Sequence, residues 1–485
     1  MKAGSAPPCT PDVVGHLPRT CSVVLLLATA GACDSEPSVP PNYEPRVSSV
    51  EPRAPKSFAH TGSFDGPHQN QHNWVGMSLG EDEDGDGVRE LVIARPIDKS
   101  TNTNITDAQG MVYVLRGGSL ELHSTLPSDE PHTFGYGIAA MGDVDGDGTM
   151  DIAVGTPVHA EDMGREGWGT TYGYLSGSEG ASWELRGNDE IDDFGHSLAF
   201  LGGEDNILVA SASRFIGGYA VGINALTGEV LFKTASSVLD NDTLGERRGY
   251  HVVRLGDLTG DGLPDFLMTA SGQDRKHPFF DYEGRIYIHD GSNGKLLGVV
   301  EGATSGDQLG TYATTIKDID GDGRDELLIG SGYEGRTEHV SGVAYLLKTG
   351  PILDANPAVW TVDDPQLLIR EHVGQKPVEL MGFTVAQAPD MDADEVLDYA
   401  VGAPGCSTDQ LKNAGCVHIY SGATGAELQV MMGDEEGYWL GEFLVTDLEA
   451  GRLYVGTKDW RKGMGRIDAY EARPTSEPST TNAKR

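Results

Sequence analysis

Five loops of nine residues carry most of the chemistry that this sequence offers. They run Asp82–Glu90, Asp143–Asp151, Asp257–Asp265, Asp318–Glu326 and Asp390–Asp398. Each loop places side-chain oxygen donors at positions 1, 3, 5 and 9, and four of the five have glycine at positions 4 and 6. Oxygen donors at this spacing in a short loop are typical of a site that surrounds a hard cation.

The candidate metal ligands are the four donor side chains of each loop and the backbone carbonyl of position 7, whose side chain varies freely. In chain order they are Asp82, Asp84, Asp86, Val88 and Glu90; Asp143, Asp145, Asp147, Thr149 and Asp151; Asp257, Thr259, Asp261, Leu263 and Asp265; Asp318, Asp320, Asp322, Arg324 and Glu326; Asp390, Asp392, Asp394, Val396 and Asp398. Carboxylate and carbonyl oxygens select Ca²⁺ or Mg²⁺ over softer metals, and six or more of them in a flexible loop favour Ca²⁺. The sequence therefore predicts up to five Ca²⁺ sites.

Two other interpretations of these loops can be weighed from the residues. An EF-hand needs a glutamate at position 12 and flanking helices, but position 12 is apolar in every copy: Ile93, Val154, Met268, Ile329 and Val401. A solvated turn without metal remains an alternative, because Asp and Gly are ordinary turn residues. The regular repetition of the loops along the chain disfavours this metal-free alternative. The fifth loop has Ala393 and Glu395 in place of the two glycines, which leaves its geometry and affinity open.

The composition is strongly acidic, with 74 Asp and Glu against 35 Lys and Arg and a formal net charge of −39. Nineteen of the acidic residues are at the proposed ligand positions. A nucleic-acid-binding protein is expected to have a basic surface, so this charge argues against that class. The expected partner is a protein or a glycan, and the chain is expected to be monomeric.

Residues 1–33 read as an export leader. Basic residues precede a short apolar run at 23–30, and small residues follow it. Ala30-Gly-Ala-Cys33 resembles a bacterial lipobox, although leucine is usual where Ala30 stands, so lipidation of Cys33 stays open. We expect a cell-envelope lipoprotein or a secreted protein, in contact with a membrane only through such an anchor. Residues 34–57 form a proline-rich linker and 474–485 a disordered tail.

Cysteine usage is simple outside the leader. Cys9, Cys21 and Cys33 lie in or beside the leader, which leaves Cys406 and Cys416 in the body of the chain. A pair ten residues apart in an exported chain predicts a local disulfide across one hairpin loop. Two free thiols are the alternative.

A repeat of about sixty residues organises the rest of the chain. A glycine, usually preceded by an apolar residue, lies upstream of each acidic loop and recurs at positions 76, 135, 195, 249, 310, 382 and 441. Within a unit, short runs rich in β-branched and aromatic residues read as about four strands. Seven such units predict an all-β, seven-bladed β-propeller over residues 58–473.

These motifs resemble the FG-GAP repeat of integrin α-subunit head domains. Phe134-Gly135, the loop Asp143–Asp151 and Ala153-Val-Gly-Thr-Pro157 carry the likeness, and Gly402-Ala-Pro404 repeats the last element letter for letter. The resemblance implies calcium loops on one face of the propeller and a binding surface on the opposite face. The third and seventh units keep only 203–206 and 447–451 in place of the loop, so no metal is expected there.

No catalytic motif is present in the sequence: there is no GxSxG elbow, HExxH pair, P-loop or dinucleotide fingerprint. We therefore expect a non-enzymatic, adhesion-like binding module. Its candidate contact loops are 165–168, 275–280 and 459–462, which contain aromatic and basic residues. A polysaccharide lyase or hydrolase built on the propeller is the main alternative, because abundant carboxylates can hide an acid/base pair. A purely structural envelope protein is a third.

Overall fold

The computed structural model describes residues 54–66, 76–95, 109–131, 133–157, 169–178, 180–187, 193–213, 218–235, 248–270, 283–303, 307–333, 340–355, 358–457 and 465–475. Over these ranges the chain forms seven mainly antiparallel sheets, six of four strands and one of five. The prediction of a seven-bladed β-propeller is confirmed. The leader, the proposed contact loops 165–168, 275–280 and 459–462, and nearly all of the tail lie outside the described residues.

The strands follow the repeat, and blades 1–3 and 6 are each built from four strands that are consecutive in the chain. After β1 (Lys56–Asp65), the first three blades comprise β2 (Gly76–Leu79), β3 (Leu91–Arg95), β4 (Gln109–Leu115) and β5 (Leu122–Pro131); β6 (Gly137–Gly142), β7 (Asp151–Thr156), β8 (Thr170–Tyr174) and β9 (Trp183–Arg186); β10 (Phe194–Gly202), β11 (Ile207–Ala212), β12 (Tyr219–Asn224) and β13 (Val230–Lys233).

The remaining blades keep this order, with one insertion. They comprise β14 (Val252–Arg254), β15 (Phe266–Ala270), β16 (Arg285–His289) and β17 (Leu296–Glu301); β18 (Tyr312–Ile316), β19 (Glu326–Ser331), β20 (Val343–Leu347), helix α1 (Gly350–Ala355), β21 (Val359–Thr361) and β22 (Leu368–Val373); β23 (Thr384–Ala388), β24 (Asp398–Ala403), β25 (Cys416–Tyr420) and β26 (Glu427–Met432); β27 (Phe443–Asp447), β28 (Arg452–Thr457) and β29 (Arg466–Pro474).

The insertion explains the longest repeat. The glycines at 310 and 382 are 72 residues apart because α1 and β21 lie between the third and fourth strands of blade 5. Strand β21 does not join its own blade. It pairs in parallel with β17 and becomes the fifth strand of blade 4.

Blade 7 is completed from the other end of the chain. Its fourth strand is β1, which pairs antiparallel with β29 from Lys56↔Pro474 to Asp65↔Arg466. The blade therefore contains strands from both ends of the repeat array, and this closes the ring non-covalently. The strand begins at Lys56, inside the segment expected to be a linker.

Apolar side chains pack between blades, so the core is a series of contacts between neighbouring sheets. One cluster joins Val92 and Val112 of blade 1 to Phe134 and Ile152 of blade 2, and the other clusters repeat this arrangement around the ring. Glycine permits the closest approaches: a Cβ on Gly155 would collide with the carbonyl oxygen of Gly195 in the next blade. Gly155 is thus required to lack a side chain because two blade backbones meet there.

Strand direction decides which loops share an end of the propeller. The first strands of neighbouring blades contact one another around the ring, and each pairs antiparallel with its second strand. All five acidic loops join a first strand to a second, so they lie at one end, which we name the acidic-loop end. Loops that join second and third strands, and the residues that open each first strand, lie at the opposite end.

Candidate metal centre

The carboxylate of the position-1 aspartate accepts hydrogen bonds from the backbone of its own loop. In all five loops one carboxylate oxygen accepts the N–H of position 4 at 2.6–2.8 Å. The other oxygen accepts the N–H of position 6 at 2.8–3.1 Å. Positions 4 and 6 have positive φ in every copy, which is why glycine is favoured there. The loop is thereby folded around its first ligand.

The position-9 carboxylates are buried beneath the loops. Glu90, Asp151, Asp265, Glu326 and Asp398 are at most 1% exposed. Each accepts the N–H of position 2 at 2.6–3.0 Å, which ties the end of the loop to its start. The three aspartates also accept an N–H from the turn between the third and fourth strands. Five buried carboxylates are thus held at fixed positions at the acidic-loop end.

Burial raises the pKa of all five position-9 carboxyl groups. The pKa rises to about 6 for Asp265 and to about 7 for Glu326 and Asp398. Backbone N–H donors offset part of this effect, whereas neighbouring loop carboxylates add to it by repulsion. The sites therefore concentrate negative charge in a partly desolvated place, where a divalent cation has a favourable interaction.

The donor oxygens converge in four of the loops. Groups whose ligand atoms all lie within 4.8 Å of one another are Asp318, Asp320, Asp322 and Glu326; Asp82, Asp84 and Asp86; Asp143, Asp145 and Asp151; and Asp390, Asp392 and Asp398. Glu90, Asp147 and Asp394 are not in these groups, and Asp147 contacts the hydroxyl of Ser176 instead. The fourth loop thus brings together all four of its predicted acidic side chains.

Position 7 makes the same backbone contact in every loop although its side chain varies. Its N–H donates to the position-5 carboxylate at 2.8–2.9 Å in all five copies, at Val88, Thr149, Leu263, Arg324 and Val396. The Arg324 guanidinium points away from the loop, to the carbonyl oxygen of Gly350 and the carboxylate of Asp354. The backbone carbonyl of this position stays the predicted ligand, because the side chain differs in every copy except Val88 and Val396.

The fifth loop has the same backbone as the others despite its altered sequence. Ala393 and Glu395 take φ values of 69° and 72°, close to 79° and 88° at Gly321 and Gly323. One carboxylate oxygen of Asp392, Oδ1, is buried and has no hydrogen-bond partner within the described part of the chain. An orphaned carboxylate oxygen between two other carboxylates fits a cation ligand. The residues present therefore suit a hard divalent ion.

The third loop, and blade 7, which has no intact loop, differ from this pattern. Thr259 replaces an acid, and its hydroxyl lies 3.5 Å from Asp257 Oδ1. In blade 7, Asp447 is buried and pairs with Arg89 of the first loop, with its Oδ1 3.2 Å from Arg89 Nη2. The positive charge beside Asp447 thus comes from the Arg89 side chain of the neighbouring blade.

Basic side chains also reach two of the acidic loops. Arg116 contacts the Asp84 carboxylate, and Lys348 Nζ lies 2.6 Å from Asp320 Oδ2. The hydrogen bond to Asp320 raises the pKa of Lys348. Both residues come from the turn between the third and fourth strands of the same blade. They neutralise part of the charge of position 3, which the sequence pattern alone did not indicate.

A chain of ring contacts at the opposite end was also missed from the sequence. Tyr136, His196 and Tyr250 each follow the repeated glycine that opens a first strand, and His251 and Tyr312 continue the series. Successive ring centroids are 4.8–4.9 Å apart. The residue after the glycine was the available signal, but only the three-dimensional ring shows that blades 2–5 contribute to one surface.

Cys406 and Cys416 are joined in a disulfide in the structure, with Cα atoms 5.6 Å apart. The bond closes the loop between β24 and β25, at the end opposite the acidic loops. Within the described ranges, no helix is long and apolar enough to cross a membrane.

Comparison with known proteins agrees with this architecture. The FG-GAP-like repeat family matches residues 257–329, and the FG-GAP repeat family matches residues 134–167. Integrin alpha-PS2 of Drosophila melanogaster is 30% identical over 199 residues, which cover 40% of this chain and 13% of that protein. Integrin alpha-5 of Xenopus laevis is 28% identical over 226 residues, covering 42% and 20%.

The chain thus spans a quarter or less of the length of these curated relatives. A solved structure of BBS1N in complex with ARL6DN, soaked with lead, shares the fold with a TM-score of 0.50 at 10% identity, covering 87% of this chain and 98% of that one. The repeat matches agree with the blade architecture and the loop geometry. The chain contains FG-GAP repeats, and its β-propeller resembles that of integrin α-subunits.

Proposed function

We propose that this chain is an exported, Ca²⁺-stabilised β-propeller that binds a protein or a glycan through the end opposite its acidic loops. The observation that carries the calcium part is the repeated geometry of the acidic loops. Each has a position-1 aspartate that folds the loop and a buried position-9 carboxylate beneath it. Buried carboxylates with raised pKa values are compensated by a bound divalent cation.

The calcium ligands are the residues predicted from the sequence. Side-chain oxygens of positions 1, 3, 5 and 9 and the backbone carbonyl of position 7 hold the ion in each loop. The ion supplies positive charge that offsets the repulsion among the loop carboxylates. Because the unfolded chain does not preserve the loops, Ca²⁺ binding favours the folded propeller, by about 2.7 kcal/mol per site when free Ca²⁺ is 100 times Kd.

Calorimetric titration and thermal melting test the calcium sites together. We expect heat of Ca²⁺ binding at up to five sites per chain and a lower melting temperature in EGTA. Asp318→Asn should remove one site, since Asp318 both folds its loop and ligates the ion. Asp363→Asn is the matched control, because Asp363 is an exposed acid between β21 and β22, outside the loop. An unchanged melt in EGTA with no heat of binding would contradict the proposal.

The binding role is supported by the opposite end of the propeller. Tyr136, His196, Tyr250, His251 and Tyr312 place half-buried or buried ring faces side by side on a rigid framework. Aromatic faces with adjacent polar atoms are frequent contact residues for proteins and sugars. The similarity to integrin α-subunits supports an adhesion-like role on a surface or outside the cell, and the leader pattern and the disulfide support export.

A binding panel tests this role and separates it from catalysis. The full chain is measured against immobilised polysaccharides and extracellular-matrix proteins in saturating Ca²⁺, while soluble products are assayed in parallel. We expect binding without turnover, weakened by Tyr136→Ala or Tyr250→Ala. Leu226→Ala is the matched control, because this exposed apolar residue lies in a turn at the acidic-loop end. Release of new sugar ends would instead establish the polysaccharide-cleaving alternative, and no binding at all would favour a structural role.

A further inference from the structure

A second donor cluster lies in blade 6, away from the acidic loops. Ligand atoms of Glu379, Cys406, Cys416 and His418 all lie within 4.8 Å of one another, and all four residues are buried. Their exposure is 6%, 6%, 0% and 9%, respectively. Two sulfurs, one imidazole nitrogen and one carboxylate oxygen are a different donor set from the all-oxygen loops. Such a set is suited to Zn²⁺ or another borderline metal rather than Ca²⁺.

The imidazole of His418 is oriented as a metal-binding histidine. Its Nδ1 lies 2.8 Å from Glu427 Oε2, and a carboxylate at that distance accepts the Nδ1 proton. The Nε2 lone pair then faces Cys416 Sγ at 3.2 Å. A carboxylate that holds the far nitrogen of a ligating histidine is the usual outer partner in zinc sites. The ring of Tyr420 lies parallel to the imidazole, at an interplanar angle of 9°.

The carboxylate of Glu379 is also held in place by hydrogen bonds. Its Oε2 accepts the backbone N–H groups of Gln375 and Lys376 at 2.6 and 2.9 Å, and its Oε1 lies 3.8 Å from Cys406 Sγ. In the disulfide neither sulfur has a hydrogen to donate, so the contact with Oε1 is not a hydrogen bond in this state. A buried carboxylate oxygen and a buried imidazole lone pair thus both face the sulfur pair.

The repeat shows that this arrangement is particular to blade 6. His418 pairs with Val401 in register, and the residues at that register in blades 1, 2, 4 and 5 are Tyr113, Tyr172, Tyr287 and Tyr345. Cys416 and His418 are two residues apart on β25, so they share a face of the sheet. Neither the fold nor the calcium loops require this histidine, because tyrosine fills its place elsewhere.

From these contacts we infer that the chain has a redox-gated Zn²⁺ site formed by Cys406, Cys416, His418 and Glu379. A phosphine reductant supplies two electrons and is oxidised to the phosphine oxide. Water supplies the oxygen of that oxide and the two protons, so the disulfide becomes two thiols. The two thiols then lose their protons as Zn²⁺ binds their sulfurs, together with His418 Nε2 and Glu379 Oε1. Zinc–sulfur bonds of about 2.3 Å require the sulfurs to separate to roughly 3.8 Å. A small-molecule disulfide restores the Cys406–Cys416 bond by thiol–disulfide exchange: it accepts the two electrons, takes up two protons from solvent to become two thiols, and Zn²⁺ is released.

The test uses the full chain carrying Cys9→Ser, Cys21→Ser and Cys33→Ser, so that only the blade 6 thiols remain, with saturating Ca²⁺ to fill the acidic loops. After reduction with a phosphine, we expect one Zn²⁺ per chain by competition with a chromophoric chelator. Co²⁺ should give the visible bands of a tetrahedral ion and a thiolate charge-transfer band. The oxidised chain should bind neither. Absence of Zn²⁺ binding by the reduced, folded chain would overturn the inference.

Variants locate the site. His418→Tyr removes the nitrogen ligand while introducing the residue that four other blades use at this register, and it should abolish the Co²⁺ spectrum. Glu427→Gln should weaken Zn²⁺ binding by about 10–100-fold without changing stoichiometry, and it serves if the first variant does not fold. His289→Leu, which removes a buried histidine of blade 4, is the matched control and should bind Zn²⁺ as the parent does. Unchanged binding in both His418→Tyr and Glu427→Gln would place the metal elsewhere and overturn the inference.

Discussion

At the scale of single residues, the fifth acidic loop separates what the loop sequence requires from what it tolerates. Cβ atoms at the loop glycines, such as Gly321 and Gly323, would meet nothing within 4 Å. Glycine is therefore favoured there by its positive φ alone, and a side chain can be accommodated at the cost of backbone strain. Ala393 and Glu395 show that outcome, since both take the left-handed conformation.

Replacing these two residues with glycine should stabilise the chain. A non-glycine residue in the left-handed region costs about 1–2 kcal/mol, and the greater freedom of glycine in the unfolded chain offsets about 0.5–1 kcal/mol of that. Ala393→Gly and Glu395→Gly should each raise stability by about 0.5–1 kcal/mol, measured as a higher melting temperature in saturating Ca²⁺. Gly321→Ala should lower it. A destabilised Ala393→Gly variant would show that the strain argument is wrong.

The basic residue beside the fourth loop affects its metal affinity. Lys348 holds Asp320 at 2.6 Å, so it competes with Ca²⁺ for a ligand and repels the ion. Half-exposed ion pairs contribute at most about 1 kcal/mol. Lys348→Met should therefore tighten Ca²⁺ binding at one site by up to about fivefold, measured by calorimetry, while slightly destabilising the calcium-free chain. Lys317→Met is the control, since Lys317 pairs with Asp325 and not with a predicted ligand. Equal affinity in both variants would contradict the competition.

At the scale of elements, the repeat predicted the strands well because each strand is short, apolar and bounded by glycine or aspartate. The departures were predicted less well. Arg248 stands where other units have an apolar residue, yet it is 3% exposed. Its guanidinium donates to the backbone carbonyls of Gly218 and Ala235 and lies over the ring of Tyr287. The local sequence does not predict that an arginine replaces the apolar residue here, because its carbonyl partners come from other parts of the chain.

His289, the last residue of β16, makes the stability of the folded chain depend on pH. His289 is 2% exposed and stacks on Phe266, and its Nδ1 lies 3.0 Å from the carbonyl oxygen of Gly294. Within the described residues its Nε2 has no hydrogen-bond partner. Burial lowers the pKa of His289 to about 4, so the ring is neutral in the folded chain. Between that pH and about 6.5 the unfolded chain binds the additional proton, and stability is lost as the pH falls.

His289→Leu should remove this part of the acid sensitivity. Leucine occupies the same register in blades 1 and 5, at Leu115 and Leu347, so the fold accepts it. A shift from 6.5 to about 4 corresponds to at most about 3 kcal/mol, lost between pH 6.5 and 4. Melting temperatures of variant and parent measured from pH 8 to pH 4.5 should therefore differ in slope, with the variant less sensitive below pH 6.5. Parallel curves would show that His289 does not contribute.

At the scale of the whole molecule, the period of the motif was enough to predict the seven blades and the acidic-loop residues. It was not enough to predict contacts between distant parts of the chain. The ring contacts of Tyr136, His196 and Tyr250 form only when neighbouring blades come together, and the donor cluster around His418 forms only when the loops of blade 6 fold. The closing strand β1 has no repeat signature, because it supplies one strand of a blade without its loop or its glycine.

Closure by β1 gives the last prediction. Phe58 is 5% exposed and packs in the cluster between blades 6 and 7, while Gln429 of β26 bonds to both backbone groups of Phe58, at 2.8 and 3.0 Å. Phe58→Ala should cost about 3–5 kcal/mol through the cavity that it leaves, and Gln429→Leu should cost less, about 1–3 kcal/mol, through the unpaired backbone groups. Both should lower the melting temperature in saturating Ca²⁺ and increase proteolysis at the N-terminal strand. Ser57→Ala, on the other face of β1, is the control and should melt like the parent. A Phe58→Ala variant that melts like Ser57→Ala would show that ring closure does not limit the stability of the propeller.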